Sequence, residues 1–132
     1  MLGAGIYPIT IAEMSNYTKD ADRFFEIEEH ERLKTFLAIH PESGDVLVGT
    51  GGVRVLPWPI KGTAKTSPRV VYYFRDLNMP LYMIALYEPG ERIPLDASSK
   101  NRINALVVEL VAQHSEHWAA ILLRQRSGNE LA

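Results

Sequence analysis

Arg69-Val70-Val71-Tyr72-Tyr73-Phe74-Arg75 and, one turn later, Leu81-Tyr82-Met83-Ile84-Ala85-Leu86-Tyr87 are the two runs that decide the fold. Both are dominated by β-branched, aromatic and other large apolar side chains, which suit a pleated, half-buried surface. Leu77-Asn78-Met79-Pro80 lies between them with turn residues, so the pair is predicted as a hairpin. The second run is almost continuously apolar, as expected of a strand in the middle of a sheet and covered on both faces. Alternation along the first run puts Arg69, Val71, Tyr73 and Arg75 on one face and Val70, Tyr72 and Phe74 on the other. The expectation is one polar, concave face and one face under helices.

Working outward, Val53 to Leu56 reads as a further strand that stops at Pro57-Trp58-Pro59, and Gly49-Thr50-Gly51-Gly52 before it is a flexible turn. Lys19 to Ile27 and Glu29 to His40 read as two short helices. Their apolar residues Phe24, Phe25, Ile27, Leu33, Phe36 and Leu37 recur every three to four positions, and Pro41 and Gly44 end the second. Near the start, Ile6, Ile9 and Ile11 suit an edge strand. On the C-terminal side Asp96 can cap a long helix, with Ser99 three residues on. Ile103, Leu106, Val107, Leu110 and Val111 form its apolar stripe, which continues toward Trp118 to Leu123. The chain is therefore predicted to be a single α+β domain spanning residues 1–132, with N-terminal helices and a C-terminal helix on a small antiparallel sheet.

The composition suits this class: 132 residues, 46% hydrophobic and 23% charged, with nine Gly and eight Pro. That is one ordinary core's worth of chain, and it is not the composition of a disordered or collagen-like protein. Cysteine is absent, so disulfides, thiolate metal sites and a cysteine nucleophile are excluded. No apolar run approaches the roughly 20 residues needed to span a bilayer, and no basic segment precedes the first apolar residues. A cytoplasmic protein with no membrane partner is expected.

The net charge of -2 conceals an asymmetry. Residues 11–45 hold nine acids and four bases. Residues 46–75 hold five bases (Arg54, Lys61, Lys65, Arg69 and Arg75) and no acid. A positive block within a mildly acidic chain points to an anionic ligand, nucleic acid above all. Arginines on phosphates and tyrosines under bases would suit single-stranded RNA.

Other chemistry finds less support. His114 and His117 lie three apart on the predicted helix without a carboxylate on the same face, so they read as a solvated helix face rather than a metal site. His30 lies among glutamates and His40 closes a helix, a usual place for a cation. The Gly49–Gly52 turn lacks the following Gly-Lys-Ser/Thr and helix start of a phosphate cradle. No serine sits in a nucleophile elbow.

Thr50-Gly51-Gly52-Val53-Arg54, Arg69 to Asp76, Met79-Pro80-Leu81-Tyr82 and Ala85-Leu86-Tyr87 follow one another in an order that resembles the RelE/HigB superfamily of bacterial toxins. The HigB-type branch is the nearer, with its T-G-G-(L/V)-R-K, G-K-S-G-G-x-R-V-I-Y-Y and K-N-E-K signatures. Leu37 to Val46 is similar to that branch's N-P-x-A-G-D-V segment, and Leu106-Val107-Val108-Glu109-Leu110 to its terminal helix. The resemblance covers about residues 20–113.

The resemblance implies a RelE-like fold and the toxin half of a type II toxin-antitoxin pair, a ribosome-dependent endoribonuclease acting on mRNA. It implies a cognate antitoxin, usually a small helix-turn-helix protein, through which alone the toxin would reach operator DNA. No metal or other cofactor is implied: the RNA's own 2′-OH attacks the adjacent phosphate, and basic side chains orient that attack and stabilise the developing charge. Arg69, Lys65, Arg54 and Arg92 match the catalytic set, and Lys61, Tyr73, Arg75 and Tyr87 the RNA-binding surface around it.

The chain also departs from the family pattern. Val55 and Pro57 stand where basic residues follow T-G-G-x-R, and Pro89 stands at the first lysine of K-N-E-K. Ala64-Lys65-Thr66-Ser67-Pro68-Arg69 is one residue shorter than G-K-S-G-G-x-R and lacks its glycines. Each lost phosphate contact weakens electrostatic binding. The alternative expectation is a toxin-fold protein with weakened or absent catalysis that binds an antitoxin and acts in operon repression.

Overall fold

The computed structural model describes residues 9–60 and 67–131. Along the chain run β1 (Ile11–Glu13), α1 (Ser15–Phe24), α2 (Ile27–Ile39), β2 (Asp45–Val46), β3 (Arg54–Pro57), β4 (Arg69–Tyr73), β5 (Leu81–Tyr87) and α3 (Ala97–Leu131). The five strands form one sheet in the order β1-β5-β4-β3-β2. β2 to β5 are an antiparallel meander, as expected from the turn residues between them. β1 instead lies parallel to β5, with Ile11 opposite Leu81 and Glu13 opposite Met83, so the sheet is mixed rather than wholly antiparallel.

Two cores lie on the two faces. On the first, Val70, Tyr72, Leu81, Met83 and Leu86 meet Tyr17, Ala21, Phe25, Leu33 and Leu37 of the N-terminal helices. On the second, Val53, Val71, Tyr73 and Met79 meet Val107 and Leu110 of α3. The stripe expected on α3 is therefore the one that covers the sheet. Ile103, Leu106 and Val111 flank it, half-buried. Asp96 starts this helix as predicted, its carboxylate accepting from the Ser99 N–H at 3.3 Å and the Ser99 hydroxyl at 2.6 Å. At 35 residues α3 is about 52 Å long and runs on to Leu131, beyond the expected end near Leu123.

The sequence expectation of an open, concave face is corrected here, because α3 covers the face that carries Val71 and Tyr73. The first helix is also displaced. It begins at Ser15 rather than Lys19, because Tyr17 and Ala21, four apart, make its buried stripe. It stops at Phe25, which turns to extended backbone and goes into the core; Ile27, expected on the apolar face, is 82% exposed in consequence.

β5 carries the irregularity that explains its unbroken apolar run. Val71 faces Ala85 and Tyr72 faces Met83, so Ile84 is an extra residue, a bulge. Leu81, Met83 and Leu86 go to the first core, while Ile84 and Ala85 both lie beside the second.

Candidate functional site

Register decides which of the sequence-nominated residues can act together. Arg69 opens β4 opposite Pro57 on one side and Tyr87 on the other. Directly opposed residues share a face, so Arg69 and Tyr87 stand side by side at one end of the sheet. The chain then leaves β5 through Glu88-Pro89-Gly90-Glu91, with Gly90 at φ +83°, and reaches Arg92. Arg69 ties this loop down: its Nη2 donates to the Glu88 carbonyl at 2.9 Å and to the Glu91 carbonyl. The Glu91 carboxylate accepts from the Glu88 N–H at 2.9 Å, closing the turn on itself.

Two clefts flank this corner. One, of about 680 Å³, is lined by Arg92 to Asp96. The other, of about 240 Å³, lies against α1 and includes Asp20, Arg23, Glu88 and Glu91. Arg23 pairs with Glu88 at 2.9 Å in an exposed salt bridge, which adds little stability. Partial burial pushes the Tyr87 hydroxyl above its ordinary pKa, with Glu91 adding to the shift and Arg69 opposing it. Tyr87 is therefore a protonated donor at neutral pH, flanked by a cation and a carboxylate.

The remaining nominated residues go elsewhere. Arg54 lies opposite Tyr72 and so on the first face, away from Arg69. Its Nη1 donates to the carbonyls of Glu42 at 2.9 Å and Gly44 at 2.8 Å, and its Nε is buried without a partner among the described residues. Gly44 N–H in turn donates to the Tyr72 hydroxyl at 2.8 Å. The guanidinium is a brace for the Pro41–Gly44 turn. Tyr73 is only 6% exposed, under α3, and cannot stack on a base as expected. Arg75 lies past the opposite end of β4, about 20 Å from Arg69 along the strand, with its Nε 3.8 Å from Asp76. Lys61 and Lys65 lie outside the described residues.

Sequence reasoning missed Glu88 and Glu91. The signal was available in the Glu-Pro-Gly-Glu turn directly after the strongest strand, where both carboxylates lie within a turn of Tyr87 and Arg92. No helix among the described residues is long and apolar enough to cross a membrane. No protein-family model matches the chain.

Proposed function

We propose that this protein is the toxin of a type II toxin-antitoxin pair, a ribosome-dependent endoribonuclease that cleaves mRNA and inhibits translation in the cytoplasm. The observation that carries the proposal is the pairing of Arg69 with Tyr87 across β4 and β5, with Glu91 and Arg92 on the loop that follows. This supports the catalytic roles that the resemblance gives to Arg69 and Arg92, and draws in Tyr87 and Glu91.

The reaction joins O2′ to phosphorus and breaks the bond from phosphorus to O5′, leaving a cyclic phosphate and a 5′-hydroxyl. Arg69 faces the charge that builds on the phosphate oxygens. Glu91 takes the proton from the 2′-OH, and the protonated Tyr87 hydroxyl, held near the same point, donates toward the departing oxygen. Arg92, exposed on the cleft wall, holds a neighbouring phosphate.

One observation favours a second reading, a toxin-fold protein that has kept its antitoxin and lost most of its chemistry. Arg54 is spent on backbone carbonyls on the far face, Tyr73 is covered and Arg75 lies past the opposite end of β4, so three of the eight nominated residues do not reach the corner, and Arg69 itself donates to the Glu88 and Glu91 carbonyls. Asp20, Glu88 and Glu91 also balance Arg23, Arg69 and Arg92, which leaves little net pull on a phosphate.

Induced expression without antitoxin separates the two. Growth arrest with ribosome-dependent mRNA cleavage, relieved by Arg69→Ala in a protein that stays folded, supports the interferase. Loss of one charge-stabilising group is expected to cost about 10²- to 10³-fold in cleavage rate. Normal growth with soluble, folded wild-type protein overturns it in favour of the binding partner.

A further inference from the structure

On the face opposite Arg69, at the C-terminal end of α2, lies a separate cleft of about 440 Å³ lined by Phe36, His40, Pro41, Glu42 and Ser43. Its wall is aromatic. The Phe36 and His40 rings are 5.1 Å apart and tilted 46°, and Trp58 backs Phe36 at 5.4 Å. Trp58 is held by its indole N–H, which donates to the buried Glu29 carboxylate at 2.9 Å. Its rim is fixed from behind by the Arg54 bonds to the Glu42 and Gly44 carbonyls and by the Tyr72 hydroxyl under Gly44. The site is thus built before any ligand arrives, which lowers the ordering cost of binding.

We infer that this cleft receives an arginine side chain from a protein partner, its guanidinium lying against the Phe36–His40 rings and pairing with the Glu42 carboxylate. Glu42 is exposed and makes no ion pair among the described residues. Aromatic faces attract cations, and the planar fork of a guanidinium matches a carboxylate in two parallel hydrogen bonds, which an ammonium cannot do. Arg54, the cation at this rim, is turned onto the Glu42 and Gly44 carbonyls, and the chain around the cleft is acidic. Residues 11–45 carry nine acids against four bases, and Asp45 stands exposed just beyond the rim. A nucleobase could stack on the same wall, but its phosphate would meet Glu42 and Asp45. The inference stands independently of the chemistry proposed at Arg69.

Titration of the ¹⁵N-labelled full chain with Nα-acetylarginine amide tests it, following the amide resonances of residues 40–44 beside parallel titrations with Nα-acetyllysine amide and guanosine monophosphate. Saturable shifts confined to this turn are expected from arginine, weaker ones from lysine and none from the nucleotide. Glu42→Gln should weaken arginine binding at least about tenfold, the loss of a hydrogen bond to a charged group, whereas Glu109→Gln on α3 should not. Because Glu42 is exposed, an unchanged spectrum elsewhere will show that the variant is folded. Absent arginine shifts, equal response to lysine, or unchanged binding by Glu42→Gln would overturn the inference. Tighter binding of the nucleotide would overturn it in favour of a base-stacking site.

Discussion

Arg54 and Arg69 lie three residue pairs apart on adjacent strands and point to opposite faces of the sheet. The pairs run Arg54–Tyr72, Val55–Val71, Leu56–Val70 and Pro57–Arg69, and an odd number of steps reverses the side. Two arginines from one basic block therefore serve two different regions. Arg54 braces the turn after α2, and Arg69 holds the loop after β5.

Substituting Arg54 should accordingly show up in stability. Arg54→Ala leaves the Glu42 and Gly44 carbonyls without their donor and is expected to cost about 1–3 kcal/mol, with Arg54→Lys recovering part of it. Urea midpoints of the three proteins check this. A wild-type midpoint for Arg54→Ala would refute the bracing role.

Two buried tyrosines should respond in opposite ways to loss of their hydroxyls. Tyr72 accepts from the Gly44 N–H, so Tyr72→Phe strands a buried donor and should destabilise by about 1 kcal/mol or more. Tyr17 is fully buried and its hydroxyl has no partner among the described residues, so Tyr17→Phe should be neutral or stabilising. Thermal denaturation of both variants decides it.

The same two hydroxyls predict alkaline sensitivity. Burial raises both above the ordinary value of 10.0 in the folded state, Tyr17 by far the more. A raised pKa contributes stability that is full below the unfolded value and is lost as pH rises toward the folded one. Stability should therefore fall above about pH 10, and Tyr17→Phe should blunt the fall. Denaturation midpoints at neutral pH and near pH 11 measure the difference.

Glycines at Gly51 and Gly90 both adopt positive φ, at +82° and +83°, but only one is crowded. A Cβ on Gly51 would stand 2.6 Å from Asn104 Oδ1 on α3, whereas one on Gly90 meets nothing within 4 Å. Gly90→Ala should cost about 1–2 kcal/mol, the backbone penalty alone. Gly51→Ala should cost about the same, because the atom it meets is the end of the exposed Asn104 side chain, which can swing aside. A clearly larger loss at Gly51 would show that Asn104 is held in place.

Tyr73 and Tyr87 separate burial from chemistry. Under the proposed chemistry, Tyr87→Phe removes the donor beside Arg69 and should lower mRNA cleavage at least about tenfold at unchanged stability. Tyr73→Ala should destabilise the second core by about 3–5 kcal/mol. Cleavage per folded molecule, normalised by circular dichroism, distinguishes them.

Much of this architecture is legible in the residues. The hairpin of β4 and β5, the Asp96–Ser99 start of α3 and its stripe through Val107 and Leu110 all rest on local pattern, and the structure has each of them. What the sequence hides is long-range. The parallel pairing of β1 has only three residues to announce it. The coverage of Tyr73 depends on where α3 crosses the sheet, which period-two alternation does not encode. The separation of Arg54 from Arg69 follows from the register between β3 and β4, so a run of like charges in the chain need not form one patch. The Arg69–Tyr87 corner likewise depends on the register between β4 and β5, which neither residue reveals alone.

The parallel contact between β1 and β5 also orders events as the chain is made. Ile11 must wait for Leu81, 70 positions later, before its strand has a neighbour. Until then Tyr17 and Ala21 of α1 lack the Leu81 and Met83 surface they will share a core with. The stretch from β1 to α1 is thus adhesive from its own synthesis until β5, the last strand, arrives to seal it. Such late, non-local closure slows folding and lengthens the interval in which a chaperone, or a second unfinished chain, can take that place.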